Sequence, residues 1–369
     1  MRPLKLTSRT MVGGLYFGRP AWRVMAWPEP PDTPATEEKN PEILRPVNRR
    51  QLGDLLLRVC PGTTGSWTPA LVRQLADLAD RRARLLILNM LPVQPESLLP
   101  AAMTQFQSRD LVAGVELVAQ CLDSPRVMVA LDRHDRPTWR AWRRLADGRR
   151  FRIHTLVNRY PQAHPVILAR CLTGTVLSPA SLPSGRDIVL LDPVTCWALG
   201  RFLRWGRATT RPVQVFVSGR EPCLAEARVG QRVADFLRTL GIPPDAGECI
   251  LNGMLAGEWI DPERTAIRWD TELISLRPPA AHEPAVDCIR CGWCVGACPV
   301  GLNPVSLLAA ARIHDGLPVG DRREAVACID CGLCSYVCPS RLDLAATIRT
   351  LRVEQLGMAA AAAELVSKG

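Results

Sequence analysis

Cys288-Ile-Arg-Cys291-Gly-Trp-Cys294-Val-Gly-Ala-Cys298-Pro299 and Cys328-Ile-Asp-Cys331-Gly-Leu-Cys334-Ser-Tyr-Val-Cys338-Pro339 are two copies of one pattern. In each, three thiols follow the spacing C-x2-C-x2-C, so one tight loop can offer sulfurs to three irons of a cubane, and a fourth sulfur must come from elsewhere. Gly292 and Gly332 sit where such a loop folds closely, and Pro299 and Pro339 fix the turn out of it. Pairs of the form C-x2-C also read as zinc ligands. Eight cysteines in duplicated four-member runs, each ending Cys-Pro, favour iron–sulfur chemistry over two zinc sites.

In two-cluster modules of the ferredoxin type, the fourth cysteine of each run ligates the other cluster. The expected ligand sets are therefore Cys288, Cys291, Cys294 and Cys338 for one [4Fe-4S] cluster, and Cys328, Cys331, Cys334 and Cys298 for the second. The last third of the chain reads as an electron-transfer module.

Working outward, 369 residues suffice for two or three domains, and a 47 % hydrophobic content supports ordinary buried cores. Neither an apolar run of membrane-spanning length nor a secretory leader is evident, which predicts a cytoplasmic protein with at most peripheral membrane contact. Cluster chemistry also favours a reducing compartment. Cys60, Cys121, Cys171, Cys196, Cys223 and Cys249 are isolated and read as small buried hydrophobes. The net charge of +10 rests almost wholly on arginine. Residues 133 to 152 hold eight arginines (Arg133, Arg136, Arg140, Arg143, Arg144, Arg149, Arg150 and Arg152) against Asp135 and Asp147, a net of +6. Such a patch suits an acidic redox partner or an anionic surface, or is a solvated face. No nucleic-acid partner is expected, because the helicase and glycosylase motifs of cluster-bearing nucleic-acid enzymes are missing.

Residues 1–46 read as short apolar segments followed by a proline-rich linker. From residue 47 to 210, helix-period stretches at 69–80, 109–122 and through Trp139 and Trp142 alternate with the strands 85–88, 127–131 and 153–157, which predicts βαβ units and a largely parallel sheet. Residues 211–277 read as a small α+β domain, with a strand at 212–219, a helix at 230–241 closed by a C-terminal glycine, and short strands at 249–253 and 266–276. Within 278–356, helices are expected at 304–313 and 344–356, one after each cysteine run, and 357–369 reads as a frayed tail.

This order of parts resembles the C subunit of the Rnf electron-transport complex, itself similar to the flavin-bearing, NADH-oxidising subunit of respiratory complex I. The resemblance lies in the cysteine phrases, in Arg159-Tyr-Pro-Gln162 with Leu172-Thr-Gly174, which match a KYPQG…LTGRE-like stretch, and in Ile250-Leu-Asn-Gly-Met-Leu-Ala-Gly257. It implies a Rossmann-like flavin-domain scaffold, a β-grasp (SLBB-like) domain and a helical two-cluster domain. It also implies flavin mononucleotide on a loop like GxGGAGFPTxxK and an acidic element like INGAECEP. Here the first is Pro61-Gly-Thr-Thr-Gly-Ser-Trp-Thr-Pro69, keeping Gly62 and Gly65, and the second is Leu88-Asn-Met-Leu-Pro-Val-Gln-Pro95, keeping Asn89 and losing both glutamates. The side chains of Thr63, Thr64 and Ser66 obstruct close backbone approach to a phosphate. The family's N-terminal barrel is not expected from 46 proline-rich residues.

The expected function is thus an iron–sulfur subunit passing single electrons through two [4Fe-4S] clusters to other redox-complex subunits, membrane-bound ones among them, at the cytoplasmic face of the inner membrane. Independent NADH oxidation is not expected. The competing reading is an NADH-dehydrogenase-like or cobalamin-reductase-like flavoenzyme with a diverged loop.

Overall fold

The computed structural model describes residues 5–6, 9–12, 15–18, 22–23, 46–60, 67–123, 125–206, 208–279, 284–312 and 322–367. Gly62 and Gly65 lie outside the described residues. The chain divides into one unit of residues 1–175 with 182–280, and a second of 176–181 with 281–369.

The first unit opens with strands β1 (Lys5–Leu6), β2 (Arg9–Val12), β3 (Leu15–Gly18) and β4 (Trp22–Arg23), of which β1 pairs with β4 and β2 with β3, both antiparallel. Helices α1 (Arg49–Val59) and α2 (Leu71–Leu78) precede a four-stranded parallel sheet. Asn48 starts α1 by accepting a hydrogen bond from Gln51 N at 3.0 Å. The sheet strands are β5 (Leu85–Asn89), β6 (Arg126–Asp132), β7 (Phe151–Leu156) and β8 (Ile188–Leu191), in spatial order β7-β6-β5-β8. Every residue of β5 and of β8 is buried, as expected of parallel strands covered on both faces. Between them run α3 (Leu99–Phe106), α4 (Ser108–Cys121), α5 (Arg136–Leu145) and α6 (Pro165–Thr173), and α7 (Pro193–Trp205) follows β8. The strand order reverses between β5 and β8, and the crevice at their carboxyl ends is where such folds bind ligands.

Asp192 caps α7, its carboxylate accepting from Thr195 N at 2.8 Å and from Thr195 Oγ1 at 2.6 Å, and Pro193 occupies the first turn. Helices α4 and α7 approach until backbone meets backbone. A Cβ on Gly114 would collide with the carbonyl of Cys196, and one on Gly200 with that of Asp110. Trp142 and Trp197 are buried, the indole N–H of Trp142 donating to Thr104 Oγ1 at 3.0 Å.

A five-stranded mixed sheet follows: β9 (Thr210–Val217), β10 (Cys223–Arg228), β11 (Glu248–Leu251), β12 (Glu258–Ile260) and β13 (Leu273–Arg277), ordered β10-β9-β13-β11-β12. Strand β13 runs parallel to β9 at its centre, and α8 (Val233–Thr239) packs Phe236 and Leu237 on Val213, Val215, Ile274 and Leu276. This is the β-grasp arrangement. Leu224, Phe216 and Trp269 turn away from that core and join the core of the parallel-sheet domain. Arg201 on α7 pairs with the almost fully buried Glu226 on β10 at 3.1 Å.

The second unit holds α9 (Trp293–Ala297), α10 (Pro304–Arg312), a 3-10 turn at Glu324–Ala327, α11 (Leu333–Tyr336) and α12 (Leu344–Ser367). Helix α12 stays helical through the alanine run that reads as a frayed tail, because alanine has the highest intrinsic helix propensity.

Candidate iron–sulfur centre

The duplication visible in the sequence is also a duplication of backbone. Arg290 and Asp330 take left-handed φ values of 53° and 56°, Gly292 and Gly332 take 77° and 75°, and Gly301 and Arg341 take 75° and 54°. Each loop turns one amide back onto its first sulfur: Arg290 N donates to Cys288 Sγ at 3.4 Å, and Asp330 N to Cys328 Sγ at 3.4 Å. After each run an Asx side chain starts the next helix, Asn303 Oδ1 accepting from Ser306 N and Asp343 Oδ1 from Ala346 N, both at 3.2 Å. At Gly292 the requirement for glycine is its positive φ, since a Cβ there would meet no protein atom within 4 Å.

The structure places seven of the eight cysteines in crossed groups. Cys294 lies within electrostatic reach of Cys291 and Cys338, whereas Cys331 and Cys334 lie within reach of Cys328 and Cys298. In the packing, Cys294 and Cys338 share an apolar cluster with Leu308 and Leu344, Cys298 and Cys328 share one with Leu302, Leu307, Ile348 and Leu351, and Cys334 borders both. Leu302 N donates to Cys298 Sγ at 3.3 Å. Burial pushes the Cys331 and Cys334 thiols up to about 12, so binding iron as thiolates must release protons. Among the described residues, no three His, Cys, Asp or Glu side chains converge to hold a single metal ion.

The two loops differ in their surroundings, which the sequence pattern does not reveal. Asp330 accepts from Arg349 Nε at 2.8 and 2.9 Å, and the Arg352 cation acts on Cys328. Arg352 Nη2 donates to Pro179 O at 3.3 Å, within the second unit. Of the other cysteines, Cys60, Cys121, Cys196, Cys223 and Cys249 are buried as expected, with burial raising Cys60 and Cys249 to about 12. Cys171, on α6, is exposed instead.

The crevice at the carboxyl ends of β5 and β8 tests whether a flavin fits. Its described residues, among them Asn89, Leu91, Val93, Leu99, Asp192 and Glu272, enclose a cavity of about 10 Å³. That is room for about one water, against the 300–1,000 Å³ of ordinary cofactor clefts. Asn89 is used internally: its Nδ2 donates to Ala163 O at 2.9 Å and its Oδ1 accepts from Leu91 N at 3.2 Å. The residues just after the stretch that replaces the family's acidic element, Glu96 and Leu98, tie it to the β-grasp domain. Glu96 Oε1 accepts from Met254 N at 2.7 Å, Glu96 O accepts from Gln214 Nε2 at 2.8 Å, and Leu98 N donates to Gln214 Oε1 at 2.6 Å. Gly253, at φ 105°, lies so close over Gln94 that no Cβ could be placed there. Beneath the crevice Arg211 is fully buried among Glu272, Asp192 and Asp270, and burial raises Glu272 to about 7. The described part of this crevice is filled by its own side chains.

The eight arginines of residues 133 to 152 are all exposed, whereas Asp135, which the charge count sets against them, is buried as the cap of α5, accepting from Thr138 N at 3.1 Å. Arg149 pairs with Glu116 at 2.6 Å, and Arg143 lies over Trp139 at 5.0 Å.

Fold and site together define a dicluster iron–sulfur protein carried on an α/β scaffold. Residues 287–342 match the family model of the 4Fe-4S dicluster domain. The chain is similar to the C subunits of ion-translocating oxidoreductase complexes. It is 29% identical over 239 residues to that of Rhodobacter capsulatus, covering 63% of this chain and 46% of the relative. To the C subunit of the proton-translocating ferredoxin:NAD(+) oxidoreductase complex of Clostridium ljungdahlii it is 24% identical over 251 residues, covering 67% and 55%. The chain thus spans about half the length of the curated relatives it matches. A solved NAD+-reducing [NiFe]-hydrogenase in the H2-reduced state aligns at 16% identity and TM-score 0.49, over 75% of this chain and 59% of that one, a likeness too weak to bear on function.

Proposed function

We propose that this chain is the iron–sulfur electron-transfer subunit of an Rnf-type ion-translocating oxidoreductase complex. Cys288, Cys291, Cys294 and Cys338 would hold one [4Fe-4S] cluster and Cys328, Cys331, Cys334 and Cys298 the other. The observation that carries this reading is the crossed approach of Cys338 to Cys294 and of Cys298 to Cys331 and Cys334. When bound, such clusters supply one-electron transfer without bond making. The chain's own contribution is to hold the sulfurs in apolar walls, to direct the amides of Arg290, Asp330 and Leu302 onto three of them, and to place Arg352 near Cys328. Donors and cations of this kind stabilise the more negative, reduced state.

Partners are other redox subunits of the complex, reached from the cytoplasmic side of the membrane. No helix among the described residues is long and apolar enough to cross a bilayer. The exposed arginines of residues 133 to 152 suit an acidic partner surface. The test is a Cys338→Ser variant purified anaerobically. Intact protein should contain about eight iron and eight sulfide per chain, as two four-iron cubanes require. The variant should lose the EPR signal of the cluster held by the Cys288 run. Loss confined to the cluster of the Cys328 run would overturn the crossed assignment, and stoichiometric zinc with little sulfide would overturn the function.

A further inference from the structure

The two cysteine loops have equivalent apolar positions that the structure uses in opposite ways. Ile329 and Leu333 are 2% and 3% exposed, whereas their counterparts Ile289 and Trp293 are 66% and 62% exposed. The ligand cysteines between them follow suit, Cys331 being buried and Cys291 exposed. Val286 and Val295 add exposed apolar surface around the first loop. The charges differ as well. Asp330 is tied to Arg349, while the equivalent Arg290 makes no ion pair among the described residues, with Asp287 the exposed acid nearby in sequence.

We propose that the Ile289–Trp293 collar around Cys291 is the docking surface for a one-electron carrier protein that presents a carboxylate beside an apolar patch over its own redox centre. The proposal deepens the electron-transfer reading and rests on it. Three observations select this occupant. Isolated exposed apolar side chains are ordinary, but four of them around a cysteine of a redox centre form a contact of the kind that excludes water on binding. Electron exchange between proteins requires the two centres to come close, and Cys291 is the ligand position at which the first loop reaches solvent. Arg290, which makes no ion pair among the described residues, supplies a cation that a carboxylate on the partner would satisfy. In the exchange one electron leaves the reduced carrier and is taken up by this chain, or the reverse, and no bond or proton need change hands.

The test uses the anaerobically purified full chain, an acidic two-cluster ferredoxin as protein probe and methyl viologen as small-molecule probe. Iron content and EPR are recorded first, and a chain without two clusters fails at the electron-transfer reading, separately from this proposal. Ile289→Ser, Trp293→Ser and the double variant are compared with Trp259→Ser, which removes an exposed aromatic from the first unit. The double variant should bind ferredoxin at least tenfold more weakly and exchange electrons with it at least tenfold more slowly, with both EPR signals and the methyl viologen rate unchanged. Unaltered affinity in the double variant, an equal loss in Trp259→Ser, or no ferredoxin binding by the intact chain would overturn the proposal. So would a dimer of the intact chain that dissociates in the double variant, which would assign the face to a second copy.

Discussion

Arg352→Gln should lower the reduction potential of the cluster assigned to Cys328, Cys331, Cys334 and Cys298 and leave the other nearly unchanged. Arg352 is the cation whose field acts on Cys328, and removing it disfavours the state with the extra electron. A unit charge about 7 to 10 Å away in an effective dielectric of about 20 interacts by about 2 kcal/mol, which for one electron is roughly 90 mV. Arg352 is half-buried, so screening cuts the expected fall to about 30 to 60 mV. The assay is a redox titration followed by EPR, in which the two signals are fitted separately. Arg352→Lys keeps the charge, giving up at least some of the hydrogen bonding around Pro179 O, and should retain most of the potential. Arg312→Gln, at the equivalent place in the first copy and exposed, should move either potential by less. Equal shifts in both clusters, or a fall in Arg352→Lys as large as in Arg352→Gln, would show that packing rather than charge sets the difference.

Gly114→Ala or Gly200→Ala should cost at least the 1–3 kcal/mol typical of overpacking, because the new methyl group meets backbone that cannot rotate away, and thermal melting of the first unit should register the loss. Gln94→Met should raise the melting temperature instead: neither end of the buried amide finds a hydrogen-bond partner among the described residues, and an unsatisfied buried polar group costs about 1–3 kcal/mol. A fall would show that a water bridges it. Reversing Arg140, Arg143 and Arg144 to glutamate should slow electron exchange with an acidic partner and flatten its salt dependence while sparing the cluster spectra. Unchanged low-salt rates would return the patch to a solvated face. Flavin released on denaturation should fall far below one per chain, and NADH should bleach nothing, because the crevice holds about 10 Å³. A stoichiometric flavin would mean that the segment from Leu91 to Glu96 moves.

The features legible in the sequence are those written in local pattern. The spacing of the cysteines carries the dicluster domain, and the apolar runs of β5 and β6 carry the parallel sheet. Strand β8 escapes sequence reading, although Ile188-Val-Leu-Leu191 is as apolar as β5, because it is only four residues long and lies among glycines and prolines that read as loop. With it go α7 and the point where the strand order reverses. The helix tail reads as frayed because polyalanine lacks the amphipathic period used to recognise helices, while propensity alone keeps it helical. The charge count around residues 133 to 152 sets Asp135 against the arginines, whereas the carboxylate is occupied as a helix cap. Exposure lies beyond sequence reading altogether. Ile289 and Ile329 occupy the same place in the same motif, and only tertiary packing separates them.

That separation bears on why a duplicated motif serves electron transfer. Two copies of one loop confer similar backbone geometry and similar amide-to-sulfur bonds on both centres. Left there, the centres would have similar potentials and equal access, and electrons would have no preferred point of entry. The remaining levers over a cluster's potential are net charge and exposure, and these are what differ: Arg352 acts on the second loop and its apolar positions are buried, while the first loop leaves Cys291, Ile289 and Trp293 at the surface. A nearby cation favours holding an electron at the second centre, and exposure favours exchanging one at the first.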